Sequence, residues 1–155
     1  MSRSIRQKKQ SGALLLEALI GILLFSIGIL AVVALQGTAT KTVTQAKFRS
    51  DASFLADQLI GEIWANRTNA PTYAYPVGSP SPAVTAWVTQ VQAKLPNAAA
   101  YPPTIVVTPT IYAGPPAYTA YQVTVTLSWQ LPDEYNSPSR PPAHSLAFTT
   151  LIPCC

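Results

Sequence analysis

The sequence predicts an α+β fold, in which a long N-terminal helix, membrane-spanning in its first half, packs with a short second helix on a small antiparallel sheet. Three observations predict it. Residues 13–35 are an apolar run broken by a single carboxylate, Glu17. All fifteen prolines fall at or after Pro71, so the chain ahead of it is free of the residue that most strongly breaks a helix. After Pro96 the apolar residues change from helical spacing to strict alternation, the signature of half-buried strands.

The apolar run sets the topology. At about 1.5 Å per residue it reaches roughly 34 Å, enough to cross a hydrocarbon core of about 30 Å. Leu, Ile, Val and Phe dominate it, and together they favour insertion by roughly 5–9 kcal/mol, more than one acid near the helix end opposes. Ahead of it, Met1 to Gly12 carries Arg3, Arg6, Lys8 and Lys9 and no acid. The positive-inside rule therefore keeps this end in the cytoplasm and sends the rest outward. A secretory signal also begins basic, but its apolar region is only about 7–15 residues and its cleavage site follows the run, where Gly37-Thr-Ala39 would serve. A plain uncleaved anchor is the remaining alternative.

Beyond the run, Gln36 to Arg67 continues as a helix. Phe48, Ala52, Leu55, Leu59 and Ile63 recur at spacings of three and four and share one face, a core face. Lys47 and Asp51 sit at i, i+4 on another side, a solvated pair. Gly21, Gly28 and Gly37 weaken the helix by about 1 kcal/mol each relative to Ala and are also places where a second helix could approach closely. Asn66, Asn69 and Pro71 end the helix, and Thr72 to Pro80 reads as a surface loop. Ser81-Pro82 has the form of an N-cap followed by proline at the first helical position. It starts a second helix to Leu95, with Val84, Trp87, Val88, Val91 and Leu95 as its apolar face.

Three strands follow. Thr104 to Thr108 is the first, and Tyr112 to Tyr118 is a turn or loop. In Tyr121 to Leu131 the residues Tyr121, Val123, Val125, Leu127, Trp129 and Leu131 point one way, and Gln122, Thr124, Thr126, Ser128 and Gln130 the other. A loop from Pro132 to Pro142 leads to the last strand, His144 to Ile152, where Leu146, Phe148, Thr150 and Ile152 share a face. An antiparallel sheet with one apolar side needs a cover, and the two helices supply it.

A basic leader ending in Gly12, then an apolar helix with Glu17 at its fifth position, resembles the class III signal of type IV pilins and type II secretion pseudopilins. The segment Trp87 to Pro96, the strands after it, and Tyr121 to Trp129 further resemble the PilV type of minor pilin, the pilus modification proteins. The resemblance implies the type IV pilin ladle fold. It also implies three regions: residues 1–12 as prepilin leader, 13–35 as the transmembrane half of the first helix, and 36–155 as a periplasmic globular domain that includes the helix's outer half. Cleavage by a prepilin peptidase between Gly12 and Ala13 is implied, on the cytoplasmic side of the inner membrane. A glycine before the cut lets a backbone approach closely in a tight site. The family commonly has Phe after the cut and methylates the new amine; here Ala13 stands in that place.

The function implied is that of a minor pilin, a structural subunit rather than an enzyme. It would act in priming pilus assembly and so in piliation, twitching motility or adhesion, with other minor and major pilins and the inner-membrane assembly platform as partners. A minor pseudopilin of a type II secretion system is the alternative, and an enzyme or receptor domain tethered by an uncleaved anchor stands behind both. Glu17 is the implied assembly residue. Of ten Lys and Arg, four leave with the leader, so six remain against six acids. The basic balance belongs to topology, and nothing here points to nucleic acid, which asks for a basic stripe on the folded domain.

Catalysis has little to stand on, and no cofactor motif is present. The single histidine, His144, has no serine or cysteine motif tied to it by spacing and reads as structural or surface. Asp133, Glu134 and Asn136 bring oxygen ligands of the kind calcium takes into one loop, though in no calcium-loop spacing; they are a weak metal candidate beside the plain reading of a solvated loop. Tyr73, Tyr75, Tyr101, Tyr112, Tyr118 and Tyr135 fall mostly in Pro-rich loops, as a contact surface or at loop-core boundaries. Cys154 and Cys155 are the only cysteines. Many pilins bridge a C-terminal cysteine to an earlier one, and no earlier one exists here. Adjacent Cα atoms lie about 3.8 Å apart, below the usual disulfide range of about 4.4–6.8 Å. Free thiols, a strained bond between the two, or a bond to another chain all stay open.

Overall fold

The computed structural model describes residues 11–76, 81–114 and 117–154. Residues 1–10, 77–80, 115–116 and Cys155 lie outside them. The elements in order are α1 (Ser11–Ala65), a 3-10 segment (Arg67–Tyr73), α2 (Pro82–Lys94), β1 (Thr104–Tyr112), β2 (Tyr118–Trp129), the one-turn α3 (Pro132–Tyr135) and β3 (His144–Pro153). The chain is α+β, and it divides into two compact units, up to Thr44 and from Gln45.

The described part of the first unit, from Ser11 onward, is helix alone. Its large apolar side chains, among them Leu14, Leu19, Phe25, Ile29 and Leu35, are exposed, and α1 is long and apolar enough to cross a membrane. Hydroxyls along it bond back to the helix itself: Ser26 Oγ donates to the Ile22 carbonyl at 2.7 Å, and Thr40 and Thr44 donate to the carbonyls four residues back at 2.9 Å each. Such back-bonding removes the cost of carrying a hydroxyl into an apolar medium.

In the second unit the apolar stripe of α1 is a core face, as its spacing predicts. Ala52, Leu55, Leu59 and Ile63 are fully buried and Phe48 partly so, with Ala56 added to the same face. The Lys47–Asp51 pair is not among the ion pairs of the described residues; the Lys47 ammonium lies 5.1 Å from the centroid of the Phe48 ring instead. α2 begins as its sequence predicts, with Pro82 at its start and the Ser81 side chain accepting from the Val84 amide at 3.4 Å. Val84, Trp87, Val88, Val91 and Leu95 are all buried. The Trp87 indole N–H donates to the Leu55 carbonyl at 2.8 Å, fastening α2 to α1 inside the core.

The sheet has the order β1-β2-β3, antiparallel throughout, with β2 in the centre. Val123, Val125, Leu127 and Trp129 of β2 face the helices and are buried with Ile105 of β1 and Ile152 of β3. β1 runs four residues beyond the predicted Thr108, through Pro109, whose missing N–H is tolerated because β1 is an edge strand. Tyr112 and Tyr118 close the β1–β2 connection as a cross-strand pair, their rings stacked at 5.0 Å.

Two segments depart from the sequence reading. Thr72 to Pro80 is not wholly a surface loop: Tyr73 ends the 3-10 segment and is buried, and Tyr75 exchanges two backbone hydrogen bonds with Ile105, at 2.8 and 3.0 Å. Gln130 does not continue the outward face of β2. The strand ends at Trp129, the chain turns, and Gln130 is fully buried. Its amide nitrogen donates to the Pro141 carbonyl at 2.7 Å, its oxygen accepts from the Asn97 side chain at 3.2 Å, and its backbone N–H donates to the Pro96 carbonyl at 3.1 Å. One glutamine thus ties the end of α2, the end of β2 and the chain entering β3.

Candidate functional site

The residues with a predicted function fall into two groups. Gly12, Ala13 and Glu17 lie in the first turns of α1, all exposed. A Cβ added to Gly12 would meet nothing within 4 Å. Ala13 and Glu17 stand at i, i+4, so they share one helix face. Among the described residues no hydrogen bond or ion pair reaches the Glu17 carboxylate, in contrast to Ser26, whose hydroxyl is satisfied by its own helix. A carboxylate without a partner on an apolar helix is costly in lipid and is the group there that most requires one from outside.

The second group is Asp133, Glu134 and Asn136, with His144 beside them. Glu134 caps α3: its Oε2 accepts from the Leu131 amide at 3.1 Å. The same carboxylate engages His144 Nε2 at 2.9 and 3.0 Å. The His144 ring stacks on Trp129 with centroids 5.9 Å apart. The Asn136 amide donates to the Pro132 carbonyl at 2.8 Å. Glu134 and Asn136 therefore spend these groups on holding the corner between β2 and β3. Among the described residues no three His, Cys, Asp or Glu side chains lie close enough together to hold a metal ion. The Glu134–His144 pair spans ten positions across a loop, a spacing with no periodic signal.

The tyrosines divide. Tyr73 is buried, its hydroxyl 3.4 Å from Glu62 Oε1; Tyr75 and Tyr101 are half-buried; Tyr112, Tyr118 and Tyr135 are exposed, the last beneath the Arg140 guanidinium at 5.5 Å. Cys154 is disulfide-bonded, which removes a free thiol at that position from the alternatives. Its backbone N–H donates to the Thr119 carbonyl at 2.8 Å, prolonging the β2–β3 ladder.

No family model, no characterised protein and no solved structure matches this chain. The class defined by its own features is an α+β protein with one apolar N-terminal helix of membrane-spanning length.

Proposed function

We propose that this chain is a minor pilin, a structural subunit of a type IV pilus. It is made with a cleaved cytoplasmic leader, held in the bacterial inner membrane by the first half of α1, and carries its α+β domain on the periplasmic side. The observation that carries the reading is the order of four features: a basic leader, Gly12 at the apolar edge, Glu17 one turn later, and an exposed apolar helix of spanning length. What supports it further is that residues 52–63 of the same helix are packed with α2 on a three-stranded antiparallel sheet. Roles in priming assembly, and in attachment or twitching, follow from membership of a minor-pilin complex.

Mass spectrometry of the mature N-terminus tests this. The expected result is a chain beginning at Ala13, with or without a methylated amine. Cleavage after Ala39 or an intact Met1 would exclude the assignment. Replacing Gly12 by a bulky residue is expected to leave the precursor uncut in the inner membrane.

A further inference from the structure

The two edges of the sheet are finished differently. The β1 edge is closed at Ile105 by its two hydrogen bonds with Tyr75 and is interrupted by Pro109. The β3 edge has neither device. Its ten residues pair with β2 one for one from His144 to Pro153, without a bulge. Among the described residues no backbone group bonds its outer side. It carries no Lys, Arg, Asp or Glu, and no proline before its last residue. Folded proteins ordinarily blunt an edge with charge, proline, a bulge or a covering segment, because an open row of N–H and C=O groups is a template for another strand.

From these observations we propose that the β3 edge is a docking surface for a second copy of this chain, through antiparallel pairing of β3 with β3. The backbone row selects an extended strand as occupant, and the side chains select β3 itself. Leu146 and Phe148, on the helix-facing side, are only half-buried, and among the described residues no strand lies beyond them. A second β3 would lay its own Leu146 and Phe148 alongside. On the opposite face Ser145, Ala147, Thr149 and Leu151 are exposed, small or hydroxyl-bearing for the most part, and uncharged. They present nothing that a second such row would repel. From Gln45 onward the chain has Lys47, Arg49, Arg67, Lys94 and Arg140 against Asp51, Asp57, Glu62, Asp133 and Glu134, so no net charge opposes self-association. Alternation of period two is kept in an antiparallel pair, so both faces match at once. This inference does not rest on the pilin reading.

The test uses the full chain in detergent micelles, followed by sedimentation and by amide hydrogen exchange over a concentration series. The expected result is a dimer whose formation slows exchange of β3 amides specifically. Ala147 and Leu151 are exposed, so Ala147→Lys with Leu151→Lys leaves the fold intact. The pair is expected to raise the dimer dissociation constant by about tenfold or more, since four like charges are gathered on one face of the new pair, and to abolish the added β3 protection. A chain that stays monomeric throughout would overturn the proposal. So would a dimer insensitive to the two lysines, which would place association in the apolar helix, or β3 protection that appears only when a different protein is added.

Discussion

Trp87→Phe is the smallest change that tests how α2 is held on α1. Phe keeps an aromatic ring in the same buried place but removes the N–H that donates to the Leu55 carbonyl at 2.8 Å. Leu55 remains inside a helix and keeps its ladder partner, so the loss is expected near the net value of one hydrogen bond, about 0.5–1.5 kcal/mol. A urea melt of a fragment beginning at Lys41 would measure it. Gln130→Leu is expected to cost more, about 1–3 kcal/mol, because the change strands the half-buried Pro141 carbonyl and Asn97 amide together. The same fragment and the same melt decide; an unchanged midpoint would mean that water replaces the glutamine. Gln130 is also where strand alternation misleads. It is the tenth residue of a clean polar-apolar pattern, yet the chain leaves the sheet one position earlier, and only the partners contributed by Asn97 and Pro141, distant in sequence, make its burial tolerable. No local signal carries that information.

At the scale of elements, local physics was legible wherever an element's own sequence determined it. The stripe on α1, the Ser81-Pro82 start of α2 and the inward face of β2 follow from period and capping, and each is found in place. What escaped was non-local. β1 is lengthened past Pro109 because it lies at an edge and pairs with β2 as far as Tyr112, and the Tyr75–Ile105 bridge joins segments thirty positions apart. The central strand supplies the sharpest test of this architecture. Trp129 is 4 % exposed and its indole nitrogen has no hydrogen-bond partner among the described residues, so truncation removes packing alone. Trp129→Ala is expected to cost about 3–5 kcal/mol, a large share of the ~5–15 kcal/mol that holds a domain folded. A fragment carrying it should melt far earlier in urea or fail to fold. A wild-type midpoint would mean that the sheet's inner face is not covered by the helices.

At the scale of the whole molecule the question is what meets Glu17. A carboxylate in the first turns of a membrane helix costs up to about 2.5–3.5 kcal/mol at the bilayer centre and less near its end, and no described residue of this chain offers it a hydrogen bond or counter-charge. Cleavage after Gly12 would create an α-amine at Ala13. On the chain's own helix that amine stands one turn away on the same face; on a neighbouring subunit, staggered in a bundle, it could sit directly against the carboxylate. At about 4 Å and an effective dielectric of about 20, the attraction is roughly 4 kcal/mol, comparable to the burial cost it must offset. An interaction of that size favours one register of docking without contributing to the fold of residues from Gln45 onward, whose core contains none of these atoms. On the minor-pilin reading proposed above, Glu17→Ala is therefore expected to leave insertion, leader cleavage and the protease resistance of the α+β domain unchanged while lowering incorporation into pili or minor-pilin complexes several-fold. Co-purification with sheared fibres, beside limited proteolysis of the membrane-bound chain, separates the two effects. Undiminished incorporation would refute the pairing, and loss of protease resistance would show that Glu17 supports the fold instead.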